Sequence, residues 1–381
     1  MSIFFKEKPG ILLPPAVGYS PLILIEFFKN NSIHLKYYPR ILALGLINLI
    51  NMPFRAYERL FINPSFENKE IVESPIFILG HWRSGTTYLH NILSKDKQMG
   101  YTTTFQSVFP DTLFNKLGRF TFENFAKLAI PGRRKGDNVS LNTSYPQEEE
   151  FALGAHTPIC FYYFWMFPER IFEYYNSFVR FINVNPKQYE SWVSDYRLLI
   201  KKALQDTKGN IYLSKNPTNT GRIKVLLKMF PNAKFIHIHR NPIEVFLSTR
   251  NFYKKMMPPL QLQDIDKLDF EKIILDIYKL IMSDYADQKD LIPKGNLIEV
   301  AFEELESKPE KVLKEIYHSL GLSGYDDASD DFHNYYKTMD NYKKNKHTIS
   351  KDLLQKVLAE CELAMNNYNY KLPENIEIIN D

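Results

Sequence analysis

Gly80 and Gly85 stand five residues apart in the stretch SPIFILGHWRSGTTYLHNILSKD, and Thr86 and Thr87 follow directly. The pair is entered from an apolar run and left through helical spacing at Leu89, Ile92 and Leu93, which reads as strand, loop and helix. Such a loop aims backbone N–H groups at an anion, and the amides of Ser84, Gly85, Thr86 and Thr87 are the expected cradle. In the triphosphate-binding version of this loop a lysine follows the second glycine and grips the β- and γ-phosphates. Here Thr86 fills that slot, and the nearest cation is Arg83, two residues before Gly85. A guanidinium between a strand end and a glycine turn faces the anion. A second apolar run, KFIHIH, ends in Arg240, Asn241 and Pro242 rather than in a carboxylate that would hold magnesium. A cation at that strand end suits another phosphate, and no metal is expected.

The elements that must carry these residues alternate. Short apolar runs at 76–80, 211–214, 234–239 and 296–302 read as buried strands separated by helical patterns, which predicts an α/β fold with a parallel, P-loop-like sheet flanked by helices. YTTTF at 101–105 is a weaker fifth strand. Residues 1 to about 70 form a helical extension broken by prolines, and residues 71–381 form the main domain. Within it, about 106–210 is a helical, aromatic-rich insertion. The tail from about 350 to 367 is helical, with Leu353, Leu354, Val357, Leu358 and Cys361 on one side. The apolar run ILALGLINLI at 41–50 is too short to span a bilayer and is interrupted by Gly45 and Asn48. It reads as a helix packed on the main domain, with an interfacial helix flanked by Arg40 and Arg55 as the alternative.

Of the 381 residues, 44% are hydrophobic and 24% charged, enough to bury a large core. Forty-eight basic against 44 acidic side chains leave a net charge of only +4, too weak for nucleic-acid binding through bulk electrostatics. An anion must therefore be held locally. Two cysteines, Cys160 and Cys361, make neither a zinc cage nor a disulfide framework. With no secretory signal evident in MSIFFKEKPGILLPP, the chain is expected in the cytoplasm, with peripheral membrane contact through the N-terminal helices left open. Oligomeric state is not readable.

GHWRSGTTYLHNIL, followed roughly 150 residues later by FPNAKFIHIHRNPIEVFLSTRNFY, resembles the two cofactor-binding motifs of sulfotransferases that use 3′-phosphoadenosine 5′-phosphosulfate (PAPS). LIEVAFEELESKPEKVLKEIYHSLGL is similar to a third segment of that family. The form is that of the broad bacterial branch with RSGTT and PQEDEFAL-like motifs. The resemblance implies a 5′-phosphosulfate loop at Arg83, Ser84, Gly85, Thr86 and Thr87, and a 3′-phosphate site at Arg240 and Ser248. It also implies that Lys215, in YLSKNPTNTGR, contacts the bridging oxygen or the sulfate. With no γ-phosphate on PAPS, the missing lysine has nothing to grip. Sulfuryl transfer needs positioning and charge stabilisation more than covalent chemistry. A well-placed cation at the departing oxygen is worth roughly 3 kcal/mol or more.

Two features depart from the cytosolic animal members. The histidine those enzymes carry two residues after the lysine is replaced by Pro217, which accepts no proton. YPQEEEFALGAH offers Glu150 first and Glu148 second as the base, against a plain acidic helix start; His81 in the loop is a rival. The basic stretch NYKKNKHTIS lacks the family's glycine, and Lys343 and Lys344 are either 3′-phosphate contacts or a solvated charge run. The acceptor is expected to be a hydroxyl of a lipid-like or aromatic small molecule, with carbohydrate second. The rival functions are a P-loop small-molecule kinase and a catalytically idle nucleotide-binding protein.

Overall fold

The computed structural model describes residues 15–129, 142–338 and 347–379. The chain falls into two compact units, Met1–Glu73 with Gly100–Ser214 and Phe252–Leu268, and Ser74–Met99 with Lys215–Asn251 and Asp269–Asp381.

Five strands form the main sheet: β1 (Ile76–Leu79), β2 (Met99–Gly100), β3 (Ile211–Lys215), β4 (Lys234–His239) and β5 (Leu297–Ala301). Every residue of β1 is buried, as expected of a central parallel strand covered on both faces. β4 lies parallel to it with Phe77 opposite Phe235, and β5 lies parallel to β4 with His237 opposite Glu299. Alternation along β4 sends Phe235, His237 and His239 to one face. There His237 stacks on Tyr285 with centroids 3.8 Å apart, and His239 on Tyr368 at 3.7 Å. The histidines in this strand are thus ring-stacked against helix Phe270–Gln288 and the tail.

Two tail features were not legible in the sequence. Cys361 breaks the predicted helix into Lys351–Glu360 and Glu362–Asn367, and β6 (His347–Ser350) pairs in parallel with β7 (Ile376–Ile379). YTTTF is not a strand. β2 ends at Gly100, and within YTTTF only Thr103 makes an isolated antiparallel bridge, to Pro146, while its hydroxyl caps the helix Thr104–Val108 by accepting from the Gln106 N–H at 3.2 Å. β-Branched composition suggested a strand, but a threonine hydroxyl at a helix start overrode it.

The other unit, which includes Ile211–Ser214, is mostly helical, built mainly on Tyr38–Tyr57, Lys116–Ala129, Glu149–His156 and Pro186–Thr207. Its interior holds a charge cluster. Lys202 Nζ lies 2.7 Å from Glu58, and Asp111 is met by Arg59 at 2.7 Å, Arg55 at 3.0 Å and His156 at 3.1 Å. Burial alone would raise the Asp111 pKa, yet His156, Arg55 and Lys202 hold it well below the usual carboxylate range. Arg55 therefore turns inward rather than flanking an interfacial helix. Cys160 and Cys361 are both buried and form no disulfide.

Candidate functional site

At the end of β1 the chain reverses through three left-handed positions, Gly80 (φ 141°), Arg83 (φ 73°) and Gly85 (φ 97°). A side chain at Gly85 would place its Cβ 2.2 Å from the Phe302 ring, and one at Gly80 would meet the Ile238 carbonyl at 2.4 Å. The two glycines are thus required by backbone angle and by space. Ser84 closes the turn, its N–H and hydroxyl both donating to the His81 carbonyl. Gly85 then caps the helix Thr86–Leu93, whose first N–H groups have no partner within the helix.

Arg83 is not a glycine, and a left-handed conformation costs such a residue about 1–2 kcal/mol. It is held from both ends. Its Nε donates to the Ser248 hydroxyl at 2.9 Å, and its carbonyl lies 3.5 Å from the Arg240 guanidinium. Ser248 sits two turns into the helix Pro242–Leu260, as its spacing required, but its hydroxyl meets the loop arginine, not Arg240. Arg240 instead bonds Glu244 at 3.0 Å, one turn away, and its guanidinium lies 4.6 Å from the Phe302 ring centre. One aromatic ring therefore limits the loop at Gly85 and supports the cation at Arg240.

A third cation enters from β3. Lys215 is the last residue of that strand and is 1% exposed. The turn after it, Pro217–Gly221, is capped by Asn216, and its Thr220 hydroxyl accepts from the Gly80 N–H at 2.8 Å. The segment leaving Lys215 is thus tied to the first glycine of the loop. His81 lies beneath the loop in a crevice with Ser84, His239, Arg240 and Tyr278. Its Nδ1 is 2.7 Å from the Trp82 carbonyl, so that nitrogen carries the hydrogen and donates. Burial pushes the ring's pKa down to about 4. His81 is consequently neutral near pH 7 and a weak base.

The glutamates belong to the helical unit. Glu150 is fully buried, and its Oε1 accepts from the Phe161 N–H at 2.8 Å. Glu149 is equally buried, accepting from Tyr196 at 2.6 Å and from the Ser214 hydroxyl, with its pKa raised by burial. Glu148, just before the helix, is 8% exposed and accepts from the Tyr162 hydroxyl. The aromatic run after the helix is core, as Phe161, Tyr162, Tyr163 and Phe164 are all buried. It also supplies the donors that fix two of these carboxylates.

The loop, Arg240 and Ser248 come together at the adjacent ends of β1 and β4, and the turn after Lys215 joins the loop at Gly80. Lys343 and Lys344 lie outside the described residues. Phe302, Glu244, Thr220 and Tyr162 were missed. Only Glu244 carried a signal, its i,i+4 spacing from Arg240.

A family model described as "Sulfotransferase family" matches residues 75–327. The omega-hydroxy-beta-dihydromenaquinone-9 sulfotransferase Stf3 of Mycobacterium tuberculosis is 28% identical over 312 residues, covering 80% of this chain and 77% of that protein. Among solved structures, the sulfotransferase STF9 of Mycobacterium avium superposes with a TM-score of 0.67 at 17% identity, covering 92% of this chain and 90% of that one. STF1 of Mycobacterium tuberculosis gives 0.63 at 14% identity, with 89% of each chain covered. These two likenesses show the fold.

Proposed function

The chain belongs to the sulfotransferase family, and from that premise we propose that it takes a sulfuryl group from PAPS and moves it to the hydroxyl of a lipid-like small molecule. The observation that carries the donor assignment is the bond from Arg83 to Ser248, which ties the glycine loop to the helix after Arg240. The donor set fits a nucleotide that is anionic at both its 5′ and 3′ ends, offering helix-start amides, Arg83, Arg240 and buried Lys215. When bound, PAPS supplies an activated sulfuryl group on a phosphate leaving group.

In this reading the amides of Ser84 to Thr87 and Arg83 hold the 5′ end. Arg240 and Ser248 hold the 3′-phosphate, and Lys215 with Arg83 stabilises charge on the departing oxygen. Glu148 takes the acceptor's proton, ahead of Glu150. Expectation from sequence ordered them the other way. Accessibility favours Glu148, which keeps some exposure although Tyr162 donates to one of its oxygens, whereas Glu150 is sealed and engaged with a backbone N–H. A neutral hydroxyl is a poor nucleophile, so a positioned base is needed at this step. The lipid-like acceptor is supported by the hydroxylated menaquinone in the name of the 28%-identical relative.

Arg240→Ala tests the donor site. It should weaken binding of adenosine 3′,5′-bisphosphate by about 10- to 100-fold, the range of a charge-assisted hydrogen bond, while binding of adenosine 5′-phosphate changes little. Equal losses for both ligands would reject the 3′-phosphate assignment. A kinase reading has no comparable support, as Thr86 stands where the triphosphate lysine is required.

A further inference from the structure

The helix Tyr38–Tyr57 is inside out. Its buried face carries Leu44, Asn48, Asn51 and Arg55, continued by Glu58 in the wide turn Glu58–Ile62. Its solvent face carries Tyr38, Leu42, Leu46 and Leu49 at three- and four-residue spacing and Tyr57 eight residues further on, with Leu42 73% exposed and Leu46 and Leu49 each 60% exposed. Leu60 and Phe61 extend the stripe at 68% and 69% exposure. An ordinary surface helix shows the reverse pattern.

The orientation is fixed by the polar partners, not by chance rotation. Asn48 donates to the Ala16 carbonyl at 3.1 Å, Asn51 accepts from Thr112 at 3.0 Å, and Arg55 donates to the Gly18 and Ala155 carbonyls. Glu58 meets Lys202 at 2.7 Å. Turning the apolar stripe inward would strip every one of these buried groups of its partner. The exposed leucines are therefore a permanent surface feature, and a stripe of this kind marks an interaction site.

We propose that this face docks on the surface of a bilayer containing anionic lipid, with the helix lying in the interface plane. No described helix is long and apolar enough to cross a membrane. Twenty residues of helix run roughly 30 Å, a long shallow contact of the kind that enters the headgroup–acyl boundary. Tyr38 and Tyr57 stand near its two ends, as amphipathic rings do at an interface. Charge selects the lipid. From Phe27 to Tyr57 there is no acidic residue, while Lys29 and Lys36 are exposed along the same stretch and Arg40, which donates to the Pro258 and Gln261 carbonyls, adds a third positive charge. Of the acids on adjoining elements, Glu26 lies on the preceding helix Pro21–Asn30, Asp264 pairs with Lys36 at 3.8 Å, and Glu173 is paired with Arg170, which itself donates to the Asn30 carbonyl. A second copy docking through a two-fold axis with its helix parallel to this one would set this basic margin against itself. The inference does not depend on which acceptor is sulfated.

The test is sedimentation of the full chain with vesicles of phosphatidylcholine alone or mixed with phosphatidylglycerol, alongside Leu46→Glu/Leu49→Glu. The chain should pellet with the anionic vesicles, and the double variant should bind at least about tenfold more weakly. Both proteins should show the same melting temperature, since the changed residues are exposed. Lys29→Gln should weaken binding to the anionic vesicles alone. Failure of the wild-type chain to pellet with either vesicle overturns the proposal, and equal binding to both overturns the anionic assignment. A vesicle-independent dimer that Leu46→Glu/Leu49→Glu converts to monomer assigns the face to a second copy and also overturns it.

Discussion

Replacing Gly85 with alanine loads the nucleotide loop in two separable ways. The residue sits at φ 97°, where an L side chain costs about 1–2 kcal/mol. The new Cβ would also lie 2.2 Å from Phe302 Cδ2 and 2.8 Å from Cε2, well inside contact distance. Overpacking of this kind typically costs about 1–3 kcal/mol. The sum is roughly 2–5 kcal/mol, a large share of the 5–15 kcal/mol that typically separates a folded domain from its unfolded chain. Urea denaturation measures it, with Gly45→Ala as the control. Gly45 is in a helix with nothing within 4 Å of a new Cβ, so that change should gain up to about 1 kcal/mol. Removing the ring as well, in Gly85→Ala/Phe302→Ala measured against Phe302→Ala, should leave only the backbone part. Because Phe302 also supports Arg240, bisphosphate affinity should fall in Gly85→Ala. If Gly85→Ala stays within about 0.5 kcal/mol of wild type, the ordinary range for a surface change, the loop does not have this conformation and the argument fails.

Glu148→Gln should lower turnover with a cognate acceptor by on the order of 10²- to 10⁴-fold while bisphosphate affinity is unchanged, and Glu150→Gln should act mainly on stability. If Glu150→Gln alone abolishes turnover, the base moves to Glu150. The chain should also lose stability in mild acid. His81 has a folded pKa of about 4 against an ordinary 6.5, so above pH 6.5 it contributes nothing. As pH falls toward 4, the unfolded chain takes up a proton that the folded chain refuses, which costs about 2 kcal/mol by pH 5. His239, also lowered to about 4 by burial, adds in the same direction. Urea denaturation at pH 7 and pH 5 should show a smaller loss for His81→Asn than for wild type, and an unchanged loss contradicts the assignment.

Strands and the glycine loop were legible because they depend on local patterns. β4 spans the predicted 234–239, and β1, β3 and β5 fall within one residue of the predicted ends. The φ values at Gly80 and Gly85 are what the spacing required. What sequence could not supply came from long-range partners. Ser248 was read as a neighbour of Arg240 but bonds Arg83, because the positive φ at Arg83 re-aims its side chain. Glu150 was preferred on helix spacing, which carries no sign of its burial or of the bond it accepts from the Phe161 N–H. Arg55 was read as a flank of an apolar helix, and its inward turn is explained by Asp111 and the Gly18 and Ala155 carbonyls, all distant in the chain.

The central claim is that the glycine loop and the Arg240 region together hold a nucleotide with a 3′-phosphate and no γ-phosphate. Isothermal calorimetry of the full chain with adenosine 3′,5′-bisphosphate and with ATP, each with and without magnesium, tests it most directly. The account predicts metal-independent binding of the bisphosphate at least about tenfold tighter than ATP, the worth of one charge-assisted contact to the 3′-phosphate. Tighter binding of ATP, strengthened by magnesium, would contradict it.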